Sequence, residues 1–353
     1  MTSKFSTHIV EWYQLNLRDL PWRNTQNPYH IWLSEIILQQ TRVAQGLPYY
    51  NKFVTHFPTV QDLAKAEEET VLKLWQGLGY YSRARNLLVA AKMVINNYNG
   101  IFPRTYSELI KLKGIGIYTA SAVASFSNNE PVAVVDGNVY RVISRFLGIF
   151  TPINSTEGEK EFKKIAFSLL DTQNPATHNQ AIMEFGALCC TPKKPNCLFC
   201  PLQKDCYSFR KNTIDQLPVK LKKTKITQKH FSYLILKNKK KEIFIHKRIL
   251  KGIWQHLYEF PLVVNEKKTP VIEIVDAFEK LLEIKINLGE LNLIHKTDKP
   301  HKLSHQHINA QFFEYVCNCD INRSDFIKIK IKDFENYPIP VLILNFINQH
   351  PLE

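Results

Sequence analysis

The chain has 353 residues, which at ~150 per domain suggests about two domains, and its 44% apolar and 22% charged content is that of a globular protein. No apolar run approaches the ~18 residues of a spanning helix, and the N-terminus MTSKFSTHIVEWYQ lacks an apolar signal region, so neither a membrane protein nor a secreted one is expected. The net charge of +14 fits a solvated basic surface or an anionic partner.

Residues 5–185 read as mostly helical. In Trp32-Leu-Ser-Glu-Ile-Ile-Leu-Gln-Gln-Thr41, helical spacing sets Trp32, Glu35 and Gln39 on one face, and Ile36 and Ile37 imply that Glu35 is partly buried. Burial raises a carboxyl pKa and favours the protonated form that a general acid needs, whereas a solvated Glu would be mere surface. Leu63, Leu72, Leu74 and Trp75 suggest further helices, as do Leu87, Leu88, Ala91 and Ile95. Residues 106–127 contain two short helices joined by Lys113-Gly-Ile-Gly-Ile117. Gly114 and Gly116 let the backbone turn tightly, and the second helix then points free N–H groups outward, an arrangement suited to DNA phosphates. A ligand-free helical hairpin is the plainer alternative.

Val132–Val135 is a short strand-like run leading to Val135-Asp-Gly-Asn-Val139. Asp136 stands where a helix begins, as an N-cap or as a catalytic carboxylate paired with Glu35. The stripe Val139, Val142, Ile143, Phe146 and Leu147 continues that helix.

Seven cysteines without a signal peptide argue against a disulfide framework. Four of them, Cys190-x6-Cys197-x2-Cys200-x5-Cys206, can wrap one centre, either zinc or an iron–sulfur cluster. Cys189, Cys317 and Cys319 read as small core residues. The stretch 211–229, KNTIDQLPVKLKKTKITQK, carries +5 and reads as a basic linker. Beyond it, Phe231–Lys237 and Glu242–Lys247 look like hairpin strands, Val271–Ile284 like a helix, and His305–Val316 and Phe326–Ile331 like strands.

Six segments occur in order: Leu20-Pro-Trp-Arg23, Trp32 to Thr41, Trp75-x-Gly-Leu-Gly-Tyr-Tyr-x-Arg-Ala-Arg85, the hairpin, Val135 to Val139 and the four-cysteine spacing. Together they resemble the adenine DNA glycosylases of the MutY type, within the endonuclease III-like helix-hairpin-helix superfamily, densely over residues 10–211 and thinly beyond. The resemblance implies a multidomain fold: a mostly α helix-hairpin-helix glycosylase domain at 1–211 with an iron–sulfur loop at 190–206, a basic linker at 212–229, and a smaller α+β Nudix-like domain at 230–353.

The implied activity is base excision repair: adenine opposite 8-oxoguanine or guanine in double-stranded DNA is flipped out and removed by a monomeric enzyme, with no membrane partner. By motif, Glu35 would protonate adenine, Asp136 would stabilise the sugar cation, and Tyr118 and Asn138 would support them. Trp22, Arg23 and Glu184 are candidates for the adenine pocket. Gln40, Thr41, Leu78 and Tyr80 would read the second strand, with Leu78 and Tyr80 as the wedge. Lyase-competent relatives carry a lysine where this chain has Tyr118, which cannot form a Schiff base, so a monofunctional enzyme is implied. The cysteine spacing implies a [4Fe-4S] cluster on the ligands Cys190, Cys197, Cys200 and Cys206, with Lys193, Lys194 and Lys204 as phosphate contacts. Ser304 and His305 would read the oxidised guanine, although Leu303 replaces the family's usual aromatic. Val271–Ile284 lacks the Arg-Glu-x2-Glu-Glu cluster of a hydrolytic Nudix site, so diphosphate hydrolysis is not expected. The competing readings are a pyrimidine glycosylase of the same fold and a non-catalytic DNA-binding protein, which would not need Glu35 and Asp136 together.

Overall fold

The apolar stripe that begins at Val139 forms the helix Gly137–Leu147, with Val139, Val142 and Ile143 buried. They pack with Phe5 and Ile9 of the helix Thr2–Asn16, Phe162 and Ala166 of Thr156–Leu169, and Ile182 and Phe185 of Pro175–Leu188. Each such side chain contributes about 1.5–3 kcal/mol by leaving water. Truncating Ile143 to Ala would therefore cost about 2–5 kcal/mol.

The computed structural model describes residues 2–221, 226–317, 321 and 323–352. It divides into two units, Met1–Lys65 with Asn86–Lys222, and Ala66–Arg85 with Lys223–Glu353. The segment 66–85, expected within the helical domain, thus groups with the C-terminal half. No helix among the described residues is long and apolar enough to cross a membrane.

In the first unit the glycine-bearing hairpin consists of helices Tyr106–Leu109 and Ile117–Asn128. Gly114 has φ +77°, and a Cβ there would stand 2.7 Å from Asn86 Cβ, so both backbone and space demand glycine. Val132–Val135 is not a strand. It is an extended connection without a partner strand, and Val134 N donates instead to Asn179 Oδ1 at 3.1 Å. The presumed linker is largely tied down as far as residue 221. Leu217 is buried, its carbonyl accepts from Arg145 Nε at 3.0 Å, and the Val219 carbonyl accepts from Ile153 N at 3.0 Å. Residues 222–225 lie outside the described residues.

The second unit is built on a mixed sheet of β1 (Thr227–Lys237), β2 (Glu242–Lys247), β3 (Tyr258–Glu259), β4 (Leu262–Asn265), β5 (Asn292–Lys296), β6 (His301–Lys302), β7 (Gln306–Val316) and β8 (Phe326–Lys330). β1 lies centrally and pairs parallel to β7 from Thr227↔Gln306 to Lys237↔Val316. Six consecutive residues of β1 are buried, because both faces of the sheet are covered. On one face Leu234, Leu236 and Phe313 meet Ile274, Val275 and Phe278 of the helix Val271–Leu282. On the other, Tyr233, Phe312 and Phe346 stack, with Phe346 supplied by the helix Val341–Gln349. That last helix was not anticipated from the sequence. Cys189 is buried as expected, whereas Cys317 is disulfide-bonded rather than a free core thiol. Cys319 lies outside the described residues.

Candidate active site

Glu35 sits on the helix Pro28–Leu38, which starts behind the Asn27 cap with Pro28 at its first position and is apolar on nearly every side. The neighbouring Ile36 and Ile37 are buried, and Glu35 itself is only 8% exposed. The Tyr118 hydroxyl, from the first turn of Ile117–Asn128, donates to Glu35 Oε2 at 2.6 Å. Burial raises the Glu35 pKa to about 7. The Tyr118 hydrogen bond opposes that shift, and the negative charge of Asp136 adds to it. Tyr118 is itself pushed well above an ordinary phenol, by burial first and then by Glu35 and Asp136.

Asp136 caps the helix Gly137–Leu147. Its Oδ1 accepts from Asn138 N and Val139 N, both at 2.8 Å, and its Oδ2 accepts from Asn138 Nδ2 at 2.7 Å. Burial pushes its pKa up, but these donors, Arg141 and the helix dipole all favour the charged form. The N-cap and catalytic readings of this residue are therefore compatible. Glu35, Tyr118, Asp136 and Asn138 line one cavity of about 580 Å³, within the usual range of ligand sites, roughly 300–1,000 Å³.

One wall of the cavity is polar. Glu184, on Pro175–Leu188, is 1% exposed and lies between two guanidinium groups. Arg23 donates through Nη1 at 2.9 Å and Nη2 at 2.7 Å, and Arg18 through Nε at 2.8 Å and Nη2 at 2.5 Å. Burial alone would raise the Glu184 pKa, yet the two arginines overcome it and hold the group at about 2. Trp22 also lines the cavity and packs edge-on to Tyr50, with ring centroids 5.1 Å apart. Arg18 was missed in the sequence, where the only hint is its position two residues before Leu20-Pro-Trp-Arg23.

Arg141 was missed too. Its guanidinium donates to Asn138 Oδ1 at 2.8 Å and to the Cys190 carbonyl at 2.7 Å. One helix therefore carries Asp136 at its N-terminus and grips the cysteine loop from its next turns. Arg145, one turn on, approaches Cys190 Sγ at 3.5 Å and donates to the Thr191 carbonyl at 2.7 Å.

Cys190, Cys197, Cys200 and Cys206 are all free thiols and lie close enough to influence one another electrostatically. As a set of four sulfur donors beside Arg145 they fit a cysteine-ligated centre in kind. Among the described residues no group of three or more His, Cys, Asp or Glu is drawn together as a single-ion site, and Cys200 hydrogen-bonds Cys189.

The remaining predicted residues fall elsewhere. Thr41 borders the cavity, while Gln40 is exposed with φ +54°. In the second unit Tyr80 is 47% exposed, but Leu78 is buried at 6% and does not project as a wedge. Ser304 and His305 form the exposed turn between β6 and β7, with Ser304 Oγ 3.3 Å from His305 Nδ1. They share a cavity of about 380 Å³ with Leu303, Tyr80 and Trp254. The Trp254 ring, rather than one at position 303, supplies an aromatic there.

The family model of HhH-GPD superfamily base excision DNA repair proteins matches residues 33–166, and the model of the NUDIX domain matches 232–349. The chain is 37% identical over 305 residues to an adenine DNA glycosylase of Buchnera aphidicola subsp. Baizongia pistaciae, covering 86% of this chain and 84% of that one. It is 34% identical to the adenine DNA glycosylase of Buchnera aphidicola subsp. Schizaphis graminum over 94% of this chain and 90% of the relative. Among solved structures, a thermostable thymine-DNA glycosylase superposes with a TM-score of 0.56 at 31% identity, covering 60% of this chain and 97% of its own. The match continues through both halves of the adenine-specific relatives, whereas the thymine enzyme accounts for little more than the helical part. This chain belongs to the adenine DNA glycosylase family.

Proposed function

We propose that this enzyme hydrolyses the N-glycosidic bond of adenine mispaired with 8-oxoguanine or guanine in duplex DNA, leaving an abasic site. The observation that carries the reading is the pairing of Glu35, with a pKa near 7, and Asp136, held by three N–H donors, on one cavity. A flipped adenine enters that cavity. Glu35 donates its proton to a ring nitrogen, which turns a poor leaving group into a neutral one. The C–N bond breaks toward an oxocarbenium-like sugar cation, the Asp136 carboxylate stabilises the positive charge, and water then adds to the sugar carbon and gives its proton back to the Glu35 carboxylate. Glu184, whose two oxygens are taken up by Arg18 and Arg23, fixes those guanidinium groups at the wall of the cavity.

Gly114 and Gly116 open the helix Ile117–Asn128 toward a DNA phosphate. A [4Fe-4S] cluster on Cys190, Cys197, Cys200 and Cys206 would cross-link the loop that Arg141 and Arg145 hold. Tyr80, Gln40 and Thr41 contact the second strand, and Ser304 with His305 reads the oxidised base. The test is incubation with adenine:8-oxoguanine, adenine:guanine and thymine:guanine duplexes, followed by alkali. Cleavage at adenine in the first two supports the reading, and cleavage at thymine alone would reverse it.

A further inference from the structure

Tyr80 is carried by a segment that has side-chain anchors at both ends in the C-terminal half. The helix Glu68–Leu74 has seven residues, too few to hold its own shape in water. Side-chain contacts tie it to the sheet module. Glu69 Oε1 accepts from the Tyr258 hydroxyl at 2.6 Å and from Lys247 Nζ at 3.0 Å. Beside it, Glu68 Oε1 lies 2.6 Å from His256 Nδ1. Lys73 Nζ donates to the Tyr337 carbonyl at 3.2 Å, and Ile339 N donates to Gln76 Oε1 at 3.1 Å. At the far end Arg85 donates to the Gln255 carbonyl at 2.7 Å and to Gln255 Oε1 at 3.1 Å.

Between these two sets of anchors the chain makes a tight turn, with positive φ at Gly77 (+99°), Gly79 (+74°) and Tyr80 (+49°). Trp75 Nε1 and Arg83 Nη2 both donate to the Gly79 carbonyl, at 3.0 and 3.2 Å. The turn has two fixed ends and a locked crown. Its exposed product, the Tyr80 ring, borders the same cavity as Ser304, His305 and Trp254. Gln255 and Tyr258 follow Trp254 closely in sequence, so two of the residues that hold the Tyr80 segment belong to the loop and strand that also carry Trp254 to the cavity.

We propose that Glu69 and Tyr258, with Arg85 and Gln255, are positioning residues for specificity: they hold the Tyr80 turn and the Ser304–His305 turn at a fixed separation, so that both engage the base opposite the target as one rigid reader. The inference rests on the reading of those two turns as DNA contacts. A rigid pair of arms discriminates by fit, because a lesion that satisfies one arm is presented to the other at no further cost in ordering.

The test is a double-mutant cycle on the full chain. One arm is Tyr258→Phe with Glu69→Gln, which removes the hydroxyl donor and the charge yet preserves shape. The other is Ser304→Ala with His305→Ala. The readout is the ratio of excision efficiencies on adenine:8-oxoguanine and adenine:guanine duplexes at fixed salt. The expected result is a roughly tenfold fall in the ratio from the first pair in the native background, and less than about twofold once Ser304 and His305 are gone. Restoring Glu69 alone should recover part of the ratio.

Equal losses in both backgrounds, or no loss from the first pair, would overturn the proposal while leaving the recognition role intact. No effect of the Ser304/His305 pair would remove the recognition reading and the proposal with it. Should the clamp pair unfold, Tyr258→Phe alone carries the same expectation in the same cycle.

Discussion

The Tyr118 hydroxyl donates to Glu35 Oε2 at 2.6 Å, although the two residues are 83 positions apart in the chain. The bond fixes one carboxyl oxygen and leaves the proton of the acid form on the other. It also lowers a pKa that burial would otherwise carry higher. Acid strength and orientation at the site thus depend on a residue that has no titration of its own near neutrality.

Glu35→Gln should lose adenine excision by about 10²–10⁴-fold in single-turnover assays while duplex binding stays near the native value. Near-normal excision by this variant would sink the proposed acid.

Excision should fall as pH rises through about 7, because the active form of Glu35 is protonated. In Tyr118→Phe the opposing hydrogen bond is gone, so the midpoint should move to higher pH. A pH–rate profile of both proteins checks the sign, and a midpoint that stays or falls in the variant contradicts it.

The same shift has a stability consequence. A carboxyl whose pKa is higher folded than unfolded destabilises the fold once pH exceeds the unfolded value, and the penalty is complete above the folded value near 7. Glu35→Gln should therefore stabilise the protein above pH 7 by on the order of 1–3 kcal/mol and have little effect at pH 4. Denaturant titrations at the two pH values provide the measurement.

Borohydride should trap no covalent protein–DNA adduct, and strand breaks should require alkali, because Tyr118 supplies no amine. Tyr118→Lys should introduce some trapping. Efficient trapping by the unaltered chain would point to another amine as nucleophile.

Anaerobically purified protein should be brown and hold about four iron atoms per chain, the content of one [4Fe-4S] cluster. One zinc in a colourless preparation would reassign the cysteine loop.

Local patterns along the chain encode the elements and the face that each one buries. The 3.6-residue apolar stripe from Val139 encodes a helix whose core face holds Val139, Val142 and Ile143, while Leu147 at its end is exposed, and the glycine-bearing turn at 114–116 encodes the hairpin. Glu35 was recognisable as a partly buried acid because two isoleucines follow it, and Tyr118 through the family resemblance, which sets a lysine at that position in the lyase-competent relatives. The strands of the C-terminal half were visible as short β-branched runs, whereas the similar run at Val132–Val135 in the first unit is no strand, since a strand needs a partner strand and this run is tied by the Asn179 side chain and a local bond from Val132 N to the Glu130 carbonyl. What tertiary structure alone decided are the partnerships across sequence. Arg18 and Arg23 converge on Glu184 from more than 160 residues away, Arg141 bridges Asn138 to the cysteine loop, and Leu78 is buried while Tyr80 stays exposed. The segment 66–85 joined the C-terminal unit for the same reason. Its helix is too short to be self-sufficient, and the carboxylates that fix it find their donors on strands and loops that follow about 180 residues later. Periodicity records which face of an element is buried, but the identity of its neighbour is settled only when the chain closes on itself.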